Sequence, residues 1–333
     1  MNGKASKHPS SCAAARMTAA LCALVFLLTG CGIIMRQATI VYIEVNSHLT
    51  PKRIEIEIGN SFIEEYKNRV TIRTALTVDK AMASPVAASL DGDLHFAGRA
   101  PQVALPIVAE IANAHDQKAA IELVHAAEGT RRPLTVSGVW RIWPEHPGTA
   151  PEEQGAALAA FGSPNPDHVF EIHPVTAIDR LQLLGSFIPV EGFKPGGAQR
   201  TFDIYEKAEC TLRIKPNTVS IVTETGLYND VEFIMKIGAG PQFVVADGRF
   251  VIASARDLSG RLLVERLRMV FAKGTPPELA VRSLKAGDQL HVYGIPRLDF
   301  AEISRRVMGY RANPALLTQK LPYEIAILGI YPK

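Results

Sequence analysis

From Ile40 onward the chain is built mostly of short runs in which apolar and polar residues alternate, the period of a half-buried strand. Ile40 to Val45, Arg53 to Ile58 and Val70 to Val78 read this way, as do Pro106 to Ile111, Cys210 to Ile214, Val219 to Thr223, Val231 to Ile237 and Arg261 to Phe271. Helical spacing is confined to short stretches. In Gln117 to Ala127, the residues Ala120, Ile121, Val124 and Ala127 recur three and four positions apart, and Pro276 to Leu284 is the second such stretch. The pattern predicts a mainly β protein with short helices. Pro144 to Asp167 is rich in Pro, Gly and Ala and is expected to be a long loop. Val190 to Gln199, with Pro195-Gly196-Gly197, reads as a crossing between domains.

The alternating runs repeat. Asp91-Gly92-Asp93-Leu94-His95-Phe96-Ala97 matches Asp247-Gly248-Arg249-Phe250-Val251-Ile252-Ala253 at a shift of 156 residues. The same shift of 156 carries Leu134-Thr135-Val136-Ser137-Gly138-Val139 onto Leu290-His291-Val292-Tyr293-Gly294-Ile295, and Glu122-Leu123 onto Glu278-Leu279. Phe170-Glu171-Ile172 matches Tyr323-Glu324-Ile325 at a shift of 153. An Asp-Gly turn alone is weak, but a common spacing over several segments predicts a tandem duplication. At a shift of 156, Arg249 stands for Asp93 and Val251 for His95; Ala326 stands for His173. The apolar positions persist and the polar ones do not.

Each copy, several strands with one helix ahead of the last two, resembles the OB barrel, a short closed antiparallel architecture. The expectation is two tandem OB-like barrels. Ile40 to Val45, Arg53 to Ile58 and Val70 to Val78 would complete or flank the first, and Cys210 to Ile214, Val219 to Thr223 and Val231 to Ile237 the second. Asp91-Gly92-Asp93-Leu94-His95-Phe96, Ser137-Gly138-Val139-Trp140 and Phe170-Glu171-Ile172-His173-Pro174-Val175 also resemble a trio of motifs in exported bacterial proteins with small OB-like barrels, a family with no established activity. That resemblance covers Thr71 to Asp179. The Asp-Gly-Asp start is similar to thermonuclease-like OB domains, where acids at a strand start hold a metal. The Arg-rich motif of that family, ending in Asp-Thr-Pro-Glu, is missing here.

The N-terminus has a different pattern. Lys4, Lys7 and Arg16 precede the apolar run Ala19 to Leu28, and Leu28-Thr29-Gly30-Cys31 follows it directly. This arrangement resembles the signal and lipobox of bacterial lipoproteins. The resemblance implies cleavage before Cys31, diacylglycerol on its thiol and anchoring in membrane lipid. Gly32, which is not aspartate, implies the outer membrane rather than retention at the inner one. An uncleaved anchor helix is the competing reading. Gly30 and Gly32 interrupt the roughly 20 apolar residues that a span requires.

Read on the mature chain, the charge changes meaning. The full sequence has 36 basic and 33 acidic residues, and the signal holds three of the bases and none of the acids. The remainder is balanced, which gives no support to nucleic-acid binding. Of four cysteines, only Cys210 would remain free, in a stretch that reads as a buried strand. The expected organisation is a signal peptide at 1–30, N-terminal strands and tether at 31–69, a first OB-like domain at 70–190 with its loop at 144–167, a linker at 191–208 and a second OB-like domain at 209–333.

Candidate chemistry follows from strand parity. Residues two apart on a strand share a face, so Asp93 and His95 point together, as do Glu171 and His173. If their strands lie close, carboxylates and imidazoles converge into a possible divalent-metal or ligand cluster, with Asp91 and Glu110 able to join. A metal there would activate water. Trp140, Trp143 and His146 could line a ligand groove at a barrel mouth, although core or barrel-end cover is the simpler fate for both indoles. Neither Ser137 nor Ser220 sits in a Gly-x-Ser-x-Gly elbow. The sequence therefore leads to a non-enzymatic, lipid-anchored envelope protein that binds a periplasmic protein or glycan through the first barrel and its loop. No cofactor is expected. The alternative is a metal-dependent, phosphodiesterase-like or nuclease-like hydrolase built on the Asp/His/Glu cluster.

Overall fold

The structure, a computed structural model, describes residues 42–46, 53–146, 160–310 and 317–332. Cys31, the segment expected to be a signal and most of the Pro-rich loop lie outside the described residues. No helix among the described residues is long and apolar enough to cross a membrane.

Strands β1 (Tyr42–Asn46) and β2 (Arg53–Gly59) come first, then helix α1 (Asn60–Tyr66). The first barrel uses β3 (Thr71–Ala81), β4 (Leu94–Ala100), β5 (Val103–Ile111), helix α2 (Lys118–Ala127), β6 (Leu134–His146) and β7 (His168–Ile178), followed by the short β8 (Leu181–Gln182). Helix α3 (Ala198–Lys207) leads to β9 (Glu209–Ile214) and β10 (Thr218–Glu224). The second barrel uses β11 (Val231–Ile237), β13 (Gly248–Arg256), β14 (Leu262–Ala272), β15 (Gln289–Leu298) and β17 (Tyr323–Ile330). Between these come the edge strand β12 (Phe243–Val245), helices α4 (Pro276–Val281) and α5 (Phe300–Tyr310), and β16 (Leu317–Lys320).

Both barrels close in one order. In the first, β5-β4-β3-β6-β7 is sealed by a parallel β5–β7 pairing; in the second, β14-β13-β11-β15-β17 is sealed by a parallel β14–β17 pairing. That is the five-strand OB path, with the helix between the third and fourth strands. Alternation explains the closure. Phe96, Ile107, Ala109, Trp140, Ile142, Phe170 and Ile172 all pack into the main core, as do Val251, Met269 and Ile325 in barrel two. One glycine serves each barrel in the same way. A Cβ on Gly138 would meet Ile172 Cγ2 at 2.5 Å and the Pro174 carbonyl at 2.7 Å; on Gly294 it would meet the Ala326 carbonyl at 2.3 Å. Both glycines sit at β-bulges where the fourth strand bends against the fifth.

Two expectations are corrected. The flanking strands do not divide between the barrels. They form one further antiparallel sheet, β1-β2-β10-β9-β16, with Ile56 opposite Ile221 and Leu212 opposite Leu317. Its inner face, Ile54, Ile56, Ile58, Cys210, Leu212, Val219 and Ile221, joins the main core. The physical reason is that these strands each offer one apolar face, and only pairing across the two halves of the chain gives them a common one. The 191–208 crossing also contains a helix, α3, which buries Phe202 and Tyr205.

The barrels are fastened to each other by reciprocal arginines. Arg141 Nε donates to the Pro296 carbonyl at 2.9 Å. Arg297 donates to the carbonyls of Trp140 at 3.0 Å and Val70 at 2.9 Å, and its guanidinium lies 3.8 Å over the Trp140 ring. Val139, Ile295, Phe187, Phe250, Val270, Tyr293, Ala326 and Leu328 fill an apolar seam. Asp247 accepts from the backbone N–H groups of Val70 at 3.0 Å and Thr71 at 2.8 Å.

Candidate functional site

Strands β4, β5, β7 and β6 are consecutive neighbours, and their outward side chains form a row on barrel one. His95 is opposite Glu110, and Arg141 is opposite Glu171. The β5–β7 pairing of Ala109 with Ile172 sets Glu110 beside His173. An outer face of this kind would normally be solvated. Here it is closed over, with Asp93, Glu110, Glu171 and His173 all between 3% and 6% exposed and Arg141 fully buried. Asn113, whose N–H reaches Asp93 Oδ1 at 3.2 Å, holds the 186–188 segment against the rim through the carbonyls of Ser186 and Ile188.

His173 is at the centre. Its Nε2 lies 3.2 Å from Asp93 Oδ2; its Nδ1 lies 3.2 Å from Glu110 Oε2 and 3.6 Å from Glu171 Oε2. Nδ1 nevertheless makes no hydrogen bond. His168 is held from both sides, by the Pro166 carbonyl at Nδ1 (2.7 Å) and by Glu171 Oε1 at Nε2 (3.1 Å). Glu171 also takes Arg141, which extends a second nitrogen to Glu145 at 2.9 Å.

The charges arrange themselves accordingly. Burial pushes Asp93 up to about 6, against the pull of His173. Burial works against the charged form of His173, but the neighbouring Glu110, Asp93 and Glu171 carboxylates outweigh it, so its pKa is raised well above the usual histidine value. Burial would raise Glu171; Arg141 and the two histidines hold it well below the ordinary carboxylate range. Burial likewise opposes a charged His168, but Glu171 overrides it and raises the pKa. The site is a sealed block of alternating charge. It offers imidazole nitrogens and carboxylate oxygens, donors that suit a divalent cation, and no hydroxyl or thiol nucleophile.

Of the residues expected from sequence, Asp93, Glu110, Glu171 and His173 come together. His95 stands at the edge, its Nε2 3.5 Å from Glu110, with both ring nitrogens lacking a hydrogen bond. Asp91 turns back to accept from the Asp93 N–H at 3.1 Å and shapes the turn instead. The aromatic groove is not formed by its two indoles. Trp140 and Trp143 are core residues, Trp140 stacked 4.6 Å from Phe300 and Trp143 edge-on to Tyr205 at 5.4 Å. Each indole N–H is used up on a backbone carbonyl, that of Arg69 at 2.8 Å and that of Tyr228 at 3.0 Å. His146 alone is half-exposed, paired with Glu145 at 3.0 Å.

Sequence reasoning missed His168, Arg141 and Glu145 altogether. Arg141 had a signal: the Leu-x-Val-x-Gly pattern recurs in both barrels, and Arg141 and Arg297 each stand three residues after its glycine. Cys210, the one cysteine among the described residues, is buried, and that burial pushes its thiol up to about 11, so it is no nucleophile.

A surface cleft lies elsewhere. It holds about 250 Å³ and is lined by Arg266, Arg268, Asp299, Glu302, Arg306 and Lys320 among others, none of them a member of the buried cluster. We give the cluster more weight, because the arginines of the cleft are largely spent on ion pairs, Arg306 with Glu302 and Arg268 with Asp299 and Glu324. No known family model matches the chain, and a search of curated proteins finds no match either.

Proposed function

We propose that this protein is a non-enzymatic binding protein of the bacterial cell envelope, held by lipid on Cys31 at the periplasmic face of the outer membrane. The observation that carries the non-enzymatic reading is the closure of the charged cluster: its carboxylates and imidazoles are almost wholly buried, so no substrate bond can reach them. Barrel two instead presents several large apolar side chains to solvent. Phe243 and Val244 on the β12 edge are 52% and 62% exposed, and Leu258 and Leu262 at the β13–β14 turn are 59% and 48% exposed. Phe243 and Val244 lie on the first connecting loop of the barrel, and Leu258 and Leu262 on the hairpin between its second and third strands, elements that OB barrels use for ligands. Apolar edge strands suit a protein partner, with a glycan as the competing ligand. This moves the binding surface from barrel one, where the sequence pointed, to barrel two. The common strand order and the matched Gly138/Gly294, Arg141/Arg297 and Glu171/Glu324 support reading the barrels as duplicated copies.

Two measurements test this. Metabolic labelling with radioactive palmitate should mark the protein, and Cys31→Ser should abolish the label and release the chain from the membrane fraction; persistence of both would refute the anchor. A photo-crosslinking residue at Phe243 or Val244 should trap one discrete protein partner in living cells. Saturable hydrolysis of a phosphodiester or ester, lost in His173→Ala, would overturn the non-enzymatic reading and favour a metal-dependent hydrolase.

A further inference from the structure

We infer that Glu110, His168, Glu171 and His173 bind one divalent transition-metal ion, with zinc the ion their donors suit best, and that Asp93 and Arg141 are positioning residues for it. The metal centre and the partner surface on barrel two are separable, and either can fail without the other.

The donors converge. Glu110, His168 and Glu171 each bring a ligand atom within 4.8 Å of the others, and His173 Nδ1 adds its contacts of 3.2 Å and 3.6 Å to the same two carboxylates. Metal–donor bonds of about 2.0–2.2 Å place neighbouring donors roughly 3.0–3.6 Å apart. The His168–Glu171 separation of 3.1 Å falls in the same range. The second observation is the orphaned atom. His173 has a side chain only 7% exposed, and its Nδ1 points into the cluster without a hydrogen bond. A buried polar nitrogen left this way is costly unless something outside the chain satisfies it.

The surroundings match those of a metal site. A ligating histidine generally gives its other N–H to a carboxylate or a backbone carbonyl. His173 faces Asp93 with Nε2, and His168 faces the Pro166 carbonyl with Nδ1. Arg141 braces Glu171. Asp93, Glu110 and His173 also form a possible triad, but an ion at Nε2 of His173 would leave Nδ1 stranded, so Asp93 fits better as the brace.

Barrel two shows that the fold does not require these groups. Phe250 is opposite Val270 where His95 is opposite Glu110, and Ala326 follows Ile325 as His173 follows Ile172. The ladder thus matches Asp93 to Gly248 and His95 to Phe250, one residue from the correspondence expected on the sequence, while Ala326 stays matched to His173. Three polar groups are apolar in the second barrel, and it still closes.

The test uses the mature chain purified in mild detergent, stripped with chelator, then titrated with zinc chloride and separately with manganese chloride. One ion per chain by elemental analysis, with a rise in melting temperature, is expected. The triple variant His95→Phe, Glu110→Val and His173→Ala carries the residues of barrel two, so it should fold, as circular dichroism would verify, and bind no ion. Asp93→Asn should weaken binding about 10–100-fold without abolishing it. Failure of the stripped parent to take up a stoichiometric ion, or triple-variant binding as tight as the parent's, would overturn the inference. Loss of the ion in Asp93→Asn combined with its retention in Glu171→Gln would overturn the ligand assignment.

Discussion

The two barrels are the same frame with different contents on one face. Each keeps a bulge glycine, a buried arginine from the fourth strand and a glutamate from the fifth. In barrel one the remaining outward positions are His95, Glu110 and His173; in barrel two they are Phe250, Val270 and Ala326, part of an apolar seam. The shared pair therefore belongs to the frame and to the joint between barrels, since Arg141 and Arg297 both reach carbonyls of the opposite barrel. The unshared trio is dispensable to barrel closure. A buried charge is costly to keep, so an additional titratable set in only one of two like frames calls for a role beyond folding.

The sharpest way to break this comparison is to remove the shared glutamate from each barrel in metal-free protein. Glu324 neutralises Arg297 at 2.7 Å and Arg268 at 3.1 Å, and Arg297 has no other carboxylate among its described ion pairs. Glu324→Gln leaves a buried guanidinium without its anion and should cost about 3–5 kcal/mol in chemical denaturation. Glu171→Gln should cost less, about 2 kcal/mol, because Arg141 retains Glu145. Equal losses, or a larger loss in barrel one, would contradict the shared-frame account.

Much of that frame was legible in the sequence. Period-two alternation placed the barrel strands, and the lone amphipathic stretch before the Leu-x-Val-x-Gly strand gave the OB order. Three things were not legible, each for its own reason. The third sheet joins Ile56 to Ile221, a pairing too distant for any local pattern to announce. His168 lies three residues before Glu171, off the parity that links Glu171 to His173, yet its ring still reaches Glu171 at the start of the strand. The one-residue error in matching β4 to β13 arose because the Asp-Gly pair does different work in each barrel. Asp247-Gly248 closes a tight hairpin from β12, with Val245 opposite Gly248, whereas Asp91-Gly92 ends a loop with no such strand.

A smaller effect sharpens the equivalence. If Gly138 and Gly294 play one part in two places, then Gly138→Ala and Gly294→Ala should destabilise alike, by about 1–3 kcal/mol each, since in both an added methyl meets backbone that cannot step aside. The check is a pair of urea melts. A cost at one site with none at the other would mean that the bulges are not equivalent.

The smallest expected effect concerns acidity. Each barrel has one buried aspartate pushed up to about 6, Asp93 in the first and Asp299 in the second. Asp299 owes this chiefly to burial and then to the nearby Glu324 charge, with Arg268 pulling the other way. It also caps helix α5, accepting from the Glu302 N–H at 3.0 Å. Between the unfolded value near 4 and the folded value of about 6, the native chain holds a proton that the unfolded chain has lost. Its contribution to stability is therefore greatest at low pH, falls as pH rises through that window and is level above it. Asp299→Asn keeps a good cap and removes the titration. It should flatten the fall between pH 4 and 6 by roughly 1–2 kcal/mol and leave the shape of the curve above pH 7 unchanged. An unaltered slope in the variant would show that Asp299 ionises as freely in the folded chain as in the unfolded one, and that the buried aspartates of the two barrels are not alike.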